Sequence, residues 1–326
     1  MTHPKIQHYV PQFLLKGFAA GRKAQLFVYD KATGKRFRTK PHNVAAEAGF
    51  YDIDFPGGIA TMEPFLGSLE GRVSKIIRGI RETRTIAKLA GDDRILLAAF
   101  VIVQFLRTKQ FREHFADLDR KMAESLRQRG IDPEQVVNYR PFRDEEEVKL
   151  ASMAFLREAA VDLVPTVLAK GWILVRTSKR VPFLIGDHPV ALHNERTFGV
   201  RGNIGFAVPG IEIYLPLSSE YALYLTCPTN VAGVLESNEK LTDLRIAFGE
   251  DDPDVQRLEA GLGPMVRALT QGQLLEAGPE NVLHHNALQI RYAERFVFCG
   301  TDDFELVEEM IADDSSIRHG PRGEIA

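Results

Sequence analysis

The stretch DDRILLAAFVIVQFLRTKQF, residues 92–111, predicts the central helix of the fold. Asp92 and Asp93 stand where a helix N-cap and an acidic first turn belong. Residues 95–103 are all apolar, and a helix that is apolar on every side is buried on every side. A helix that spans a bilayer needs about 20 apolar residues, so we expect this shorter run to form the buried rod of a soluble core.

Three polar residues share one face of this predicted helix. Gln104, Arg107 and Thr108 follow the apolar run at positions i, i+3 and i+4. An unpaired guanidinium is costly in a protein interior, so Arg107 needs a carboxylate or carbonyl groups beside it. The sequence therefore predicts a polar site at this end of the helix, with a partner from elsewhere in the chain.

The composition is that of an ordinary globular protein. The chain has 326 residues, enough for one large domain or two moderate ones, with 44% apolar and 26% charged residues. A net charge of −3 argues against a dedicated nucleic-acid coat or membrane-surface protein, but it leaves room for a nuclease with a local basic groove. Two cysteines give no disulfide framework, and the first residues carry no apolar signal segment. We expect a cytoplasmic protein without membrane segments, and the sequence leaves the oligomeric state open.

The apolar patterns along the chain predict an α+β fold. A central helical bundle is expected to pack with antiparallel β-hairpins from the N-terminal and C-terminal parts of the chain. The predicted elements are a central helix that continues beyond residue 111 to about residue 130, further helices over residues 61–81, 145–170 and 279–294, a terminal helix over 301–311, and hairpins over 25–39, 171–185 and 211–226. We expect residues 1–312 to form one domain and residues 313–326 to be a disordered tail.

Two glutamates on the helix predicted over residues 61–81 are the first candidate partners of Arg107. Glu63 and Glu70 are seven residues apart, so they lie on one line of that helix. This line borders the apolar stripe rather than opposing it, which favours carboxylates that point into the protein. In the alternative interpretation both side chains reach past the stripe to water.

Other candidate residues stand at the ends of predicted elements. Asp187 and His188 end an apolar strand between a glycine and a proline; Asp187 is a candidate metal ligand, base or partner of Arg107, and the alternative is a turn cap. His8 precedes a helix start at a proline, or else packs against its neighbour Tyr9. Asn286 faces inward on the helix 279–294. In that helix the pair at positions 284 and 285 is a weak metal signal, and the glycine-rich residues 195–210 are a candidate lid.

These motifs together resemble the bacterial domain-of-unknown-function family 4238. The segments that carry the resemblance are HYVPQFLL from residue 8, FY at 50–51, Glu63 with Glu70, QFLRT at 104–108, GDHPV at 186–190, and Asn286 with RYAER at 291–295. The resemblance covers nearly the whole chain, and the family carries no settled activity. It implies that seven residues stand at motif positions: His8, Glu63, Glu70, Gln104, Arg107, Asp187 and Asn286. Residue 188 is histidine here, where the family often has asparagine.

The candidate residues are compatible with three functions. The first is hydrolysis of phosphoesters, most naturally nucleic acid, by a site in which Glu70 and Asp187 hold a magnesium or manganese ion. Its catalytic set is His8, Glu63, Glu70, Gln104, Arg107, Asp187, His188 and Asn286. The second is a module that binds a nucleotide or a peptide without turnover. The third is a buried structural network. Serine-nucleophile and dinucleotide-binding motifs are absent from the sequence.

Overall fold

The computed structural model describes residues 6–56, 58–198 and 202–323. The α-helices in these ranges are α1 (Gln12–Leu15), α2 (Glu63–Thr83), α3 (Gly91–Leu106), α4 (Lys109–Gln128), α5 (Glu145–Asp162), α6 (Val164–Leu168), α7 (Pro228–Phe248), α8 (Pro253–Gln271), α9 (Pro279–Tyr292) and α10 (Glu305–Asp313). The strands are β1 (Ile6–His8), β2 (Leu26–Asp30), β3 (Lys35–Thr39), β4 (Ala46–Ala48), β5 (Asp52–Phe55), β6 (Gly58–Thr61), β7 (Gly171–Arg176), β8 (Ile185–Gly186), β9 (Ala191–His193), β10 (Glu212–Pro216), β11 (Tyr221–Thr226), β12 (Leu275–Glu276) and β13 (Phe296–Cys299). Helices alternate with antiparallel sheets, so the predicted α+β class is correct.

Most of the apolar run of α3 is buried as predicted, but Ile95 at its start is exposed and the helix is shorter than expected. Six of the residues from Leu97 to Val103 are fully or almost fully inaccessible to solvent. The helix ends at Leu106, and a new helix, α4, starts after Thr108. Thr108 has an extended backbone and its hydroxyl accepts a hydrogen bond from the Phe111 N–H at 3.3 Å. This N-cap divides the predicted continuous helix in two and places Arg107 at the junction.

Two larger sheets carry most of the strands. One has the order β12-β7-β11-β10-β9, and the other has the order β3-β2-β13-β8. Strand β2 comes from the N-terminal part of the chain and β13 from the C-terminal part, and they pair antiparallel. This pairing joins the two ends of the chain in one sheet.

The hairpin predicted over residues 171–185 is wrong. Strand β7 pairs with β11 and β12, whereas β8 crosses to the other sheet and pairs with β13. Thr177 Oγ1 donates to the Val181 carbonyl at 2.6 Å, so a turn is present there. The two strands that flank this turn do not pair with each other. The hairpins β2–β3 and β10–β11 form as predicted.

The single helix predicted over residues 145–170 is divided into α5 and α6 around Leu163. Helix α2 buries the predicted stripe, with Leu66, Val73 and Ile77 nearly inaccessible to solvent.

None of the helices that the structure describes is long and apolar enough to cross a bilayer. Most buried apolar residues belong to one core cluster, and a second, smaller cluster surrounds Phe304 and Val307 of the C-terminal segment.

The segment predicted to be a disordered tail is packed against the protein as far as residue 323. Residues Ser315–Arg318 form a short 3-10 helix, and Ile317 is buried. The guanidinium of Arg322 donates to both carboxylate oxygens of Glu294, at 2.7 and 2.9 Å. Charged and polar residues therefore hold this segment by specific bonds, which its polar composition alone could not indicate.

The glycine-rich segment predicted as a lid is only partly described. Gly199 and Arg201, which contributed to that prediction, lie outside the described residues. The remaining segment is fastened by Asn194, whose side-chain amide donates to the carbonyls of Asn203 and Pro209, both at 3.0 Å.

Candidate functional site

Arg107 finds its carboxylate in Glu70. Its guanidinium Nη1 donates to Glu70 Oε1 at 2.7 Å, and its side chain is 1% exposed. The Nε and Nη2 groups donate to the carbonyls of Tyr9 and His8, at 3.2 and 3.4 Å. Helix α2 and the N-terminal segment therefore supply the compensation that a buried positive charge requires. The partner predicted from the line of glutamates on α2 is correct for Glu70.

The neighbouring polar side chains lock the same segment in place. Gln104 Nε2 donates to the Tyr9 carbonyl at 2.9 Å, so two side chains of the α3 terminus bind one carbonyl. The Tyr51 hydroxyl donates to the Arg107 carbonyl at 3.1 Å. Gln7 accepts from the Tyr51 N–H at 2.5 Å and is fully buried. Because these bonds run to backbone groups, Gln104 holds the geometry of the segment that carries His8.

His8 is half-buried beside this network and remains available for proton transfer. Its Nε2 lies 3.2 Å from the His42 carbonyl, which accepts the ring N–H and leaves Nδ1 with a lone pair. Burial lowers the pKa of His8 below its usual value of 6.5, while the charge of Glu70 opposes this shift and that of Arg107 adds to it. The imidazole is therefore predominantly neutral at pH 7, as a general base must be.

Glu63 stands at the first turn of α2 with the opposite tendency. Burial raises the pKa of Glu63 above its usual value of 4.5, and the nearby carboxylates of Glu70 and Asp52 raise it further. Within the described part of the chain no hydrogen bond reaches the Glu63 carboxylate, and its side chain is half-buried. Arg107 and Glu70 act electrostatically on both Glu63 and His8, which places the two titratable groups around the same ion pair.

Asp187 lies in a different network and does not pair with Arg107. Its carboxylate is almost fully buried and accepts the N–H groups of Glu294, Arg295 and Phe296, at 2.7 to 3.3 Å. Burial raises the pKa of Asp187 to about 6, against the lowering effect of these amides. The carboxylate thus caps the turn between α9 and β13, which is distant in sequence, and not the local turn of the alternative interpretation.

Asn286 also serves the backbone. Its side-chain oxygen accepts from the Leu184 N–H at 2.8 Å, and its side-chain nitrogen donates to the Pro182 carbonyl at 2.9 Å. The prediction that Asn286 faces inward is correct. Through these two bonds Asn286 holds the segment that precedes β8.

His188 connects the two networks. Its Nδ1 lies 2.5 Å from the Thr108 hydroxyl, while Nε2 is buried without a partner among the described residues. The ring stacks on Tyr292 at 5.7 Å between centroids and meets the edge of Phe105 at 4.8 Å. Burial lowers the pKa of His188 to about 3, so the ring stays neutral and packs like an aromatic core residue.

Comparison with known proteins identifies the family. The family model DUF4238, described as a protein of unknown function, matches residues 6–303. The chain belongs to this family. Its predicted resemblance is therefore confirmed over nearly the whole length. No curated protein and no solved structure matched the chain.

In this DUF4238 member the eight predicted site residues separate into two groups. His8, Glu63 and Gln104 lie around the ion pair that Glu70 forms with Arg107. Asp187 caps the turn before the C-terminal strand, Asn286 holds the segment before β8, and His188 lies between the two groups. Glu70 and Asp187 have no hydrogen-bond partner in common, so this geometry gives no support to a metal ion held by those two residues. No group of three or more histidine, cysteine or acidic side chains with metal-site geometry occurs in the residues that the structure describes.

The DUF4238 fold also uses buried polar residues that the sequence did not single out. Lys31 is fully buried and its ammonium donates to the carbonyls of Ile290 and Ala293, at 2.7 and 2.5 Å. Gln289 is fully buried and bonds to the Gly186 N–H and the Pro189 carbonyl. Gln289 follows Asn286 by three positions on α9, so the inward face assigned to Asn286 was an available signal. Lys31 gave none, since it lies in a predicted turn.

Proposed function

We propose that this chain is a hydrolase that cleaves phosphoester bonds of nucleic acid with His8 as general base and Glu63 as general acid. One observation carries the proposal. These two half-buried groups surround the Arg107–Glu70 pair, their pKa values are moved toward each other, and neither is consumed by bonds that hold the fold.

The roles follow from the proton positions. Nδ1 of His8 accepts a proton from water as the water oxygen bonds to phosphorus. Glu63 gives its proton to the departing ester oxygen as the other P–O bond breaks, and solvent restores both groups. General acid–base catalysis of this kind contributes about 10²- to 10⁴-fold in rate.

Arg107 is a positioning residue in this scheme. Its side chain is buried behind His8 and Glu63 and is neutralised by Glu70, so it does not touch a substrate. Its bonds to the carbonyls of His8 and Tyr9 fix the main chain that carries the base. Asp187 and Asn286 take no part in the chemistry, because they bind backbone groups. His188 takes no part because its ring is fully buried and its Nδ1 contacts Thr108.

The proposal is tested with single-stranded RNA and DNA, each assayed with magnesium, with manganese and with a chelator. His8→Ala and Glu63→Gln are expected to lower the cleavage rate by about 10²-fold or more. The matched controls are His319→Ala and Glu82→Gln, both at exposed positions, and these are expected to keep the wild-type rate. Absence of cleavage in every condition, or full activity in both site variants, would show that the proposal is wrong.

A binding module without turnover is the second candidate, and one observation favours it. A cavity of about 420 Å³ lies between the five-stranded sheet and helices α8 and α9, away from His8 and Glu63. Pockets that bind small molecules range from about 300 to 1,000 Å³. A nucleotide held by its base with the phosphate outside the cavity, or a peptide, that raises the melting temperature and is recovered unchanged would favour this candidate.

A further inference from the structure

The cavity between the five-stranded sheet and helices α8 and α9 is built on one face of the sheet. Tyr214 on β10 lies opposite Tyr224 on β11, and Ala222 lies opposite Val175 on β7. Since side chains alternate along a strand, these four share the face that lines the cavity. The small Ala222 leaves space beneath the rings. On the helical side, Gly261 faces open space at the wall of the cavity.

His285 lines this cavity, and its two buried ring nitrogens have no hydrogen-bond partner among the described residues. The residue is 3% exposed. The neighbouring Asn286 amide bonds to Leu184 and Pro182; it lies close enough to the ring to oppose the lowering of the His285 pKa, but it forms no hydrogen bond of normal geometry with either ring nitrogen. Burial lowers the pKa of His285 to about 3 and keeps the ring neutral, with one donor and one acceptor. Buried polar groups are normally hydrogen-bonded, and an unpaired one costs about 1–3 kcal/mol.

The two tyrosines form a fixed aromatic wall. Both hydroxyls donate to Glu212, from Tyr214 at 2.8 Å and from Tyr224 at 2.5 Å. Their ring centroids are 4.9 Å apart with an angle of 30° between the planes. Because the hydroxyls are already engaged, the rings offer π surface rather than hydrogen bonds. Planar aromatic ligands gain from stacking or edge contacts with such rings.

The charge of the lining selects against anions. Among the described residues that line the cavity there is no lysine or arginine, and its one acidic residue, Glu276, pairs with Arg176 at 2.5 Å. Asn281 and His284 add uncharged polar groups beside His285. A phosphate or carboxylate in this space would lack the compensating charge that burial requires.

We infer that this cavity binds an uncharged, planar heteroaromatic molecule of nucleoside size. The ring lies against Tyr214 and Tyr224, and a polar group on its edge bonds to one ring nitrogen of His285. This site is separate from His8 and Glu63 and stands whether or not the proposed hydrolase activity does.

The inference is tested by titrating the full chain with adenosine, guanosine, cytidine and uridine in a calorimeter, with their 5′-monophosphates as charged controls. At least one nucleoside is expected to bind with a dissociation constant of about 1 mM or tighter, and its monophosphate at least about tenfold more weakly. His285→Leu removes the donor and acceptor and is expected to weaken binding about tenfold.

A second variant tests the place of binding. Gly261→Leu directs a side chain into the open space and is expected to weaken binding at least about tenfold; Gly233→Leu, at an exposed position of α7 with equal space, is the control that binds normally. The inference is overturned if no nucleoside binds, if the monophosphates bind as well as the nucleosides, or if binding survives Gly261→Leu unchanged.

Discussion

Among single side chains, Arg107 is the most consequential for stability. Arg107→Ala removes the cation that pairs with Glu70 and one donor from each of two carbonyl groups, and breaking a buried ion pair costs about 3–5 kcal/mol. We expect the melting temperature to fall by about 10 °C in a thermal melt followed by circular dichroism. Arg120→Ala is the control, because the ion pairs of Arg120 lie at the protein surface. Their loss should change the melting temperature little. Equal shifts for both variants would contradict the role assigned to Arg107.

His285 gives a prediction about pH. Burial and the nearby His284 lower the pKa of His285 to about 3 in the folded chain, whereas the unfolded chain titrates near 6.5. Between these values the unfolded state binds the extra proton, so the folded wild type loses stability as pH falls below 6.5.

The variant His285→Leu lacks this titration. Relative to the wild type, its free energy of unfolding should rise by about 2 kcal/mol between pH 7.5 and pH 5. Urea denaturation at the two pH values measures this difference, and His188 titrates equally in both proteins and cancels. If the difference in the free energy of unfolding between variant and wild type is independent of pH, the fold does not lower the pKa of His285.

Single residues also show how far the sequence could go. The pairing of Glu70 with Arg107 was predictable. A guanidinium on a buried helix needs a partner, and the candidate partners are carboxylates that point into the protein. The partners of Asp187 were not, because they are backbone N–H groups of residues 294–296, which carry no sequence signal. The local pattern placed Asp187 at the end of an apolar strand, and only the fold determines what it binds.

Among the secondary structure elements, the junction between α3 and α4 is where sequence and structure differ most. Residues 104–110 have good helical propensity and favour one continuous helix. Hydrogen bonds override this propensity. The Tyr51 hydroxyl donates to the Arg107 carbonyl, and the Thr108 hydroxyl bonds to His188 Nδ1 and accepts from the Phe111 N–H. These partners lie up to 80 positions away, so no local pattern could predict the break.

The junction can be tested through Thr108. Thr108→Ala removes the N-cap of α4 and leaves His188 Nδ1 unpartnered, so we expect a loss of about 1–3 kcal/mol in the free energy of unfolding. Thr108→Ser keeps the hydroxyl and loses one buried methyl group, at a cost of about 1 kcal/mol. Denaturant melts of both variants measure the difference. If serine and alanine destabilise equally, the hydroxyl does not hold the junction.

For the molecule as a whole, the C-terminal segment closes the fold rather than trailing from it. Strand β13 lies between β2 and β8, and the residues that follow it return to cover Glu294. The apolar patterns predicted the α+β class correctly, because helical stripes and alternating strand patterns can be recognised from the local sequence alone. They missed this segment because its eight polar side chains among residues 313–326 give the same pattern whether they are solvated or hydrogen-bonded to the protein.

Deletion of residues 314–326 tests the segment. It removes Arg322 from Glu294 and Arg318 from the Lys31 carbonyl, leaving a buried carboxylate unpaired. We expect a loss of about 3–5 kcal/mol and a melting temperature lower by about 10 °C. A chain that ends at residue 323 keeps every bond described for the segment and should melt as the wild type. A deletion variant as stable as the wild type would restore the disordered-tail interpretation.

The pH dependence of nucleic-acid cleavage tests the proposed pair of His8 and Glu63 most directly. Activity needs His8 neutral and Glu63 protonated, and the fold moves their pKa values toward each other from 6.5 and 4.5. The profile of the cleavage rate should therefore be bell-shaped with its maximum between these values. The rising limb should disappear in His8→Ala and the falling limb in Glu63→Gln. A profile that keeps both limbs in the two variants, or no cleavage at any pH, would contradict the account.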